Sequence, residues 1–293
     1  MKQIRKLHFQ NERGERWGLN GDRGLYCTDL AGLGLTLNPT LNGIGNGFMS
    51  VESNDAGAQK GLPFTLIFTK SPYQYYQMLT DWMAAAETLT IVYNPTGAQE
   101  YYCDVVINYM QKGELNQVGW LEVLCNFYYV TPWYLPSPSL LSIQSAGKDE
   151  RKRYSYRYTD TLKYGMNNAA ALSATIAGAG HIPGSIELKY FGAINNPRIK
   201  ILGNISGKTY GACYISAVVE NSDILQFSTK YEDSYVRKIS AEGIETNLLD
   251  KIDLSLTPFF HIPVNEPCTI TLESDDLFVG RAELSVYYYY RSV

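Results

Sequence analysis

The residues that could carry out chemistry are few and far apart. The three histidines, His8, His181 and His261, do not have the spacing of metal ligands, and isolated histidines are usually structural. The sequence leaves open whether folding brings the three histidines together in a cluster. The chain has no Gly-x-Ser-x-Gly, His-Glu-x-x-His or P-loop lysine motif. The sequence therefore predicts a protein that is not an enzyme and that needs no metal or cofactor.

Two charged stretches each have a functional and a structural interpretation. Glu273, Asp275 and Asp276 could bind Ca²⁺ or form a carboxylate pair, but the order of an EF-hand loop is missing. We favour an exposed turn between strands. The basic stretch at 148–165, with Lys148, Arg151, Lys152, Arg153, Arg157 and Lys163, could bind phosphates or be a strand with solvated charges.

The overall charge favours the second interpretation of the basic stretch, whose role stays open. Twenty-five basic and 29 acidic residues give a net charge of −4, whereas dedicated nucleic-acid binders are usually clearly basic. The five cysteines, widely spaced and without a Cys-x-x-Cys pair, indicate reduced thiols in a protein that folds in a cytoplasm. Neither a signal peptide nor a run of eighteen apolar residues is present, so no membrane insertion is expected.

One long helix is predicted directly after Ser71. Ser71 is a favourable N-cap residue, Pro72 suits the first helical position, and Gln74 completes a capping-box spacing. Apolar residues then recur on one helical face, and we predict that they form a core stripe: Tyr75, Leu79, Trp82, Met83 and Ala86.

Residues 31–62 differ from their surroundings because they are rich in Gly, Asn, Ser and Pro. Phosphate binding by such a loop needs a following Gly-Lys-Ser/Thr or a strand–GxGxxG–helix context, and neither is present. We predict a long, mobile excursion from the sheet that is ordered by neighbouring subunits, because it cannot offset its own ordering entropy. The subunit-contact candidates are Gly43, Gly45, Gly47 and Phe48.

The rest of the chain is predicted to be mainly β. Tyrosine, valine and isoleucine are enriched in Thr88–Tyr93, Tyr101–Met110 and Val118–Val130, which we predict to be strands of the sheet that the helix packs on. From Gly180 onward, short strands follow at the regular spacing of an antiparallel sandwich. The predicted domains are residues 1–147, with a linker from about residue 131, and residues 148–293.

The order of several motifs resembles that of the distal tail proteins of long-tailed bacteriophages and related phage-like particles. In the first half these are GLYCTDLAGLGLTLNP, then TLTIVYNP, EYYCDVVINYMQKGE and LEVLCNFYYVTPWYL, which contains Thr131-Pro132-Trp133-Tyr134. In the second half they are HIPGSIELKYFGAINNPRIKI, DILQFSTK and LTPFFHIPVNEPCTITLES. The likeness covers most of the chain.

The resemblance implies an architecture and a role. It implies a tail-tube-like β-sheet or barrel domain with one α-helix, followed by a galectin-like β-sandwich. It also implies a structural virion protein at the distal end of the tail, assembled in the host bacterial cytoplasm as a hexameric ring. The ring would connect the tail tube protein to the tail hub, baseplate or receptor-binding proteins and leave a channel for DNA.

A carbohydrate-binding module that grips the host surface through the C-terminal sandwich is the alternative. Sugar-binding sandwiches commonly stack an aromatic residue, often Trp, on the sugar ring. All four tryptophans, Trp17, Trp82, Trp120 and Trp133, precede the predicted sandwich, so tyrosines would have to take that role.

Overall fold

A computed structural model describes residues 5–34, 39–44, 47–53, 61–144, 171–275 and 279–293. The protein is mainly β, with antiparallel sheets, as the sequence predicts. It divides into two compact units: residues 1–135 with 289–293, and residues 136–288. The boundary predicted at residues 147 and 148 lies outside the described residues. In the described part of the chain, no helix is long and apolar enough to cross a membrane.

The first unit contains one continuous series of seven antiparallel strands, in the spatial order β2, β1, β7, β8, β9, β6, β3. Its strands are β1 (Lys6–Asn11), β2 (Arg16–Gly18), β3 (Leu25–Thr28), β4 (Pro39–Ile44), β5 (Gly47–Ser53), β6 (Gly61–Phe68), β7 (Leu89–Asn94), β8 (Tyr101–Leu115) and β9 (Leu121–Tyr129). A single bridge from Asn20 to Tyr26 joins the two ends of the series. The barrel version of the prediction is therefore not realised, because the described strands form no closed barrel.

Alternation along the strands builds the core of the first unit. On β9, the buried residues Leu121, Val123, Cys125 and Phe127 alternate with more exposed ones, as expected when one face of a sheet is covered. The ring of Phe127 lies 5.4 Å from that of Phe9 and 5.1 Å from that of Phe64. The core thus joins strands that are distant in sequence.

The helix α1 (Pro72–Ala84) packs on this core through Leu79 and Met83, which are both buried. Tyr75 and Trp82 are partly buried against the core, whereas Ala86 lies beyond the end of the helix. We propose that Leu79 and Met83 provide most of the packing energy of the helix. The capping prediction is wrong, because Ser71 has left-handed backbone angles and makes no side-chain cap hydrogen bond.

The prediction of a long loop at residues 31–62 is wrong where the structure describes this stretch. Strands β4 and β5 pair as an antiparallel hairpin, in which Gly43 lies opposite Phe48 and Ile44 lies opposite Gly47. Gly45 lies outside the described residues. No ladder joins the hairpin to any other described strand.

Residues 131–147, interpreted as a linker, contain strand β10 (Trp133–Gln144), which begins in the first unit and continues in the second. Strand β20 (Val279–Tyr290) runs the other way and returns the chain to the first unit. There, the ring of Tyr290 packs edge-on at 5.5 Å from that of Tyr101, and the Val293 N–H donates to the Leu33 carbonyl at 3.3 Å.

The second unit contains two antiparallel sheets, ordered β10-β11-β19-β13-β14 and β20-β12-β16-β17-β18. The short β15 also pairs with β12. The remaining bounds are β11 (Ala171–Ile176), β12 (Ile182–Asn195), β13 (Arg198–Gly203), β14 (Thr209–Tyr214), β15 (Val218–Val219), β16 (Ile224–Thr229), β17 (Ser234–Ile239), β18 (Glu245–Asn247) and β19 (Cys268–Glu273).

Phe260 fills the space between these two sheets. Its ring lies 5.8 Å from that of Phe227 on the second sheet. On the first sheet, a methyl group on Gly211 would come within 2.4 Å of its Cβ, so a side chain larger than that of glycine does not fit there. The two sheets therefore pack face to face, as in a sandwich.

Truncation of Leu79 tests the packing of α1. We expect Leu79→Ala to lower the free energy of unfolding by about 2–5 kcal/mol, because it leaves a cavity in a closed site. Trp82→Ala should cost less, because its ring is only partly buried. Urea denaturation measures both. Met78→Ala, on the exposed side of the same helix, is the control, and equal midpoints for the Leu79 and Met78 variants would contradict the assignment.

Candidate assembly surfaces

The histidines lie in separate environments. His8 is on β1, and burial lowers its pKa. Burial also lowers the pKa of His261, whose ring stacks on that of Tyr231 at 4.3 Å. His181 directly precedes β12. In the described ranges, no group of three or more His, Cys, Asp or Glu residues could hold a metal ion.

The acidic run is engaged by neighbouring side chains. Glu273 pairs with Lys200 at 2.8 Å, and Asp275 pairs with Arg198 at 2.5 Å. Asp275 also accepts a hydrogen bond from the Asn196 amide at 2.8 Å. These contacts fix the turn after β19. Asp276 and the basic stretch lie outside the described residues.

All five cysteines are free thiols, and four of them are buried. Burial raises the pKa of Cys125 and of Cys213 to about 12 and that of Cys268 to about 11. A thiol with such a pKa is almost entirely protonated at neutral pH and is a weak nucleophile.

Glu187 is the centre of a charged network in the second unit, on the side of β12 opposite the buried Ile186 and Leu188. Its carboxylate lies 3.1 Å from the Lys230 ammonium and accepts hydrogen bonds from the hydroxyls of Tyr235 at 3.1 Å and Tyr287 at 3.0 Å. Burial alone would raise the pKa of Glu187, but the charge and hydrogen bond of Lys230, the charge of Lys189 and the Tyr287 hydroxyl together outweigh burial, and the pKa falls to about 2. The network keeps a half-buried carboxylate ionised.

Glu266 fixes a turn in the same way. Its carboxylate accepts from the backbone N–H groups of Ile205 at 2.9 Å and Ser206 at 2.5 Å, and from the hydroxyls of Ser206 and Tyr210. The Ser206 N–H and the Tyr210 hydroxyl are the main reasons that the pKa of Glu266 falls to about 2. An open cleft of about 430 Å³ adjoins this carboxylate; its lining residues are Ile205, Ser206, Tyr210, Pro263, Val264, Asn265 and Glu266.

Neither carboxylate is suited to general acid catalysis. Such an acid must hold a proton near neutral pH, whereas both of these groups lose theirs in strong acid. Four donors also occupy the oxygens of Glu266, which leaves little capacity for a ligand. We interpret both groups as structural.

A face with little charge lies on the first unit. Register rows across β3, β6, β9 and β8 place ten residues on the side opposite the buried core. We call these residues the outer face: Tyr26, Thr28, Pro63, Thr65, Ile67, Tyr109, Gln111, Glu122, Leu124 and Asn126. Among the ten, only Glu122 is charged. Protein interfaces share this depletion of charge and enrichment in aromatic residues.

The apolar exposure continues along β8 beyond the outer face. Val106 is 57% exposed, and Ile107 and Leu115 are exposed as well. The strand predicted from the sequence ends at Met110, whereas β8 continues to Leu115. The residue pattern could have indicated that this segment is exposed, because apolar and polar residues do not alternate regularly from Asn108 to Leu115 and so form no apolar face.

Three of the four candidates for subunit contact lie on the strands of the β4–β5 hairpin, and Gly45 lies outside the described residues. Gly43 is on β4, and Gly47 and Phe48 are on β5. Their role as contact residues stays a prediction.

Replacement of Lys230 tests the Glu187 network. A carboxylate whose pKa is lowered on folding stabilises the protein above its unfolded pKa and loses that contribution as the pH falls through the folded value. We therefore expect Lys230→Met to lower the free energy of unfolding by about 2 kcal/mol above pH 5, and by less as the pH falls toward 2. Denaturation at several pH values measures this. Lys230→Arg is the control, and a loss that does not change with pH would contradict the assignment.

Comparison with known proteins shows which protein family the first unit is similar to. Residues 6–129 match the family model described as the distal tail protein, N-terminal domain. Among curated proteins, no sequence matches the chain. The match covers the helix α1 and all nine strands from β1 to β9 in full.

Solved structures share the fold. A chain in the structure of the phage P2 baseplate in its activated conformation with Ca aligns with a TM-score of 0.67 at 15% identity, over 99% of this chain and 100% of that one. The crystal structure of the SPP1 Dit protein, described as a paradigm of the hub adsorption apparatus in phages that infect Gram-positive bacteria, aligns with a TM-score of 0.56 at 8% identity. That alignment covers 97% of this chain and 98% of the Dit chain. Residues 6–129 are thus similar to the N-terminal domain of the distal tail proteins of bacteriophages, which confirms the resemblance for this part of the chain.

Proposed function

We propose that this protein is a structural component of the phage virion that forms a hexameric ring at the distal end of the tail. The ring connects the tail tube protein to the tail hub or baseplate, with receptor-binding proteins as further partners, and leaves a central channel through which DNA passes. The observation that supports this proposal best is the family match over residues 6–129.

The surfaces of the first unit are consistent with that role. A ring subunit needs a large area with few charges, because burial of unpaired charges on assembly is costly. The outer face provides such an area with Glu122 as its one charged member, and that carboxylate already accepts a hydrogen bond from the Asn116 amide at 3.2 Å. The carboxylates and thiols described above are engaged in structure, which favours a non-enzymatic role.

Three tyrosines of the second unit argue against the carbohydrate-binding alternative. Sugar binding by stacking requires an open aromatic face. Lys230 lies over the ring of Tyr287 at 4.3 Å, Arg237 over that of Tyr235 at 4.2 Å and Lys208 over that of Tyr210 at 5.3 Å. Each of these rings therefore has one face covered by a cation, and we favour the structural role.

The mass of the protein in solution tests the ring. We expect light scattering at tens of micromolar, with and without the tube protein, to give a species of six times the 32.9 kDa chain mass. Negative-stain images of the same sample should show annular particles. A chain that stays monomeric under both conditions would contradict the proposal.

Binding to cell-wall polysaccharide tests the alternative. We expect the full chain to show no retention on cell-wall polysaccharide above that of an unrelated β-sandwich protein, because a cation covers one face of each tyrosine ring described above. Saturable retention that is lost in Tyr287→Ala would instead support the carbohydrate-binding function.

A further inference from the structure

Residues 30–34, which we call the base segment, follow β3 and lead toward the β4–β5 hairpin. They belong to no strand, but hydrogen bonds hold them against the sheet of the first unit. The Ala31 N–H donates to the Pro63 carbonyl at 3.1 Å, and the Gly32 carbonyl accepts from the Tyr129 hydroxyl at 3.0 Å. Pro63 lies on β6 and Tyr129 on β9, so the base segment is tied to two neighbouring strands.

The backbone of this region is tightly constrained. Asp29, directly before the base segment, has a left-handed φ of 54°, which costs free energy for a residue with a side chain and persists only where its surroundings hold it. Gly32 has a φ of 89°, and a methyl group there would come within 2.7 Å of the Gly61 carbonyl oxygen. Gly61 begins β6. The two ends of the stretch between β3 and β6 therefore meet at Gly32 and Gly61.

The segment Tyr289–Val293, which we call the return segment, adds a contact at the same place. The Val293 N–H donates to the Leu33 carbonyl at 3.3 Å, and both side chains are partly buried against the core of the first unit. The ring of Tyr290 packs edge-on at 5.5 Å from that of Tyr101 on β8. The return segment thus lies between the sheet and the base segment in the chain of contacts.

The β4–β5 hairpin has few described contacts of its own. It forms a two-stranded sheet without a ladder to any other described strand. An isolated two-stranded hairpin is marginally stable in water. Bringing the ends of a stretch together in advance removes part of the entropic cost of ordering it. Contacts that hold the ends of this stretch together therefore favour the pairing of β4 with β5.

We propose that the return segment is a clamp that controls the β4–β5 hairpin. By holding the base segment in place, it keeps the two ends of the stretch that carries the hairpin together, and the pairing of β4 with β5 depends on it. Coupling between two sites is reciprocal, so loosening the base segment must also loosen the return segment. The inference concerns a single chain and does not depend on the proposed ring.

Hydrogen exchange of the full chain, measured by mass spectrometry on samples diluted until they are monomeric, tests the clamp. Val293→Pro removes the N–H that binds Leu33, whereas Val293→Ile keeps it and is the control. We expect Val293→Pro to raise the exchange rates of the base segment and of both hairpin strands about fivefold, which corresponds to the loss of one hydrogen bond. Val293→Ile should leave these rates unchanged.

Strands β1 and β7 provide the internal reference, because they lie elsewhere in the same sheet. Their exchange should not change in Val293→Pro. An equal increase in β1, β7 and the hairpin would show that the return segment only adds general stability, which would overturn the inference. Hairpin exchange that is the same in Val293→Pro and in the wild type would overturn it as well. Neither outcome bears on the ring, which the mass measurement tests.

A second pair of variants tests the coupling from the other side. Gly32→Ala places a methyl group against the Gly61 carbonyl oxygen at a left-handed φ, whereas a methyl group at Gly34 meets no atom within 4 Å. We expect Gly32→Ala to raise the exchange rate of the return segment about tenfold, because both effects disfavour the native backbone. Gly34→Ala is the matched control. Circular dichroism checks that both variants fold, and equal exchange of the return segment in the two would refute the coupling.

Discussion

The backbone hydrogen bonds of the strands are the constraint on which this structure depends. Each strand has donors and acceptors on both sides, and those that leave water must find partners. In the first unit, seven strands meet this requirement in one antiparallel series, which α1 covers through Leu79 and Met83. The second unit meets it with two sheets that share Phe260 between them. In contrast, the described part of β8 after Val105 pairs on one side only, and the β4–β5 hairpin has no ladder to any other described strand.

The charged groups follow a consistent pattern in both units. Glu187 and Glu266 stay ionised because ammonium, hydroxyl and backbone donors surround them, and Glu273 and Asp275 are paired with basic side chains. Such networks rigidify turns and sheet faces, and they also occupy the groups that could otherwise bind ligands. The outer face remains nearly uncharged. Rigid sheets that present an area of low charge are consistent with the proposed ring.

Local patterns in the sequence predict much of this fold, and nonlocal contacts account for most of the rest. The strands near residues 89–94, 101–110 and 121–129 and the helix after Ser71 follow from tyrosine-rich and valine-rich runs and from helical periodicity. The predicted N-cap hydrogen bond of Ser71 is absent because the backbone at Ser71 is left-handed, a conformation that no residue pattern in the sequence indicates. The hairpin at residues 39–53 was missed because glycine and asparagine predict turns more strongly than Phe48 and Val51 predict a strand. The pairing of Glu187 with Lys230 joins residues 43 positions apart and has no local signal.

The return of the chain to the first unit determines when that unit can be completed. Tyr290 packs on Tyr101, and Val293 bonds to Leu33, so residues 289–293 are part of the first unit although the ribosome makes them after residues 136–288. Domains generally fold as units during synthesis, at about 5–20 residues per second. The first unit therefore lacks these contacts for roughly 8–30 seconds after its residue 135 has been made. During that interval a nascent chain lacks the packing of Tyr290 on Tyr101, so its first unit can be completed only after the second unit has been made.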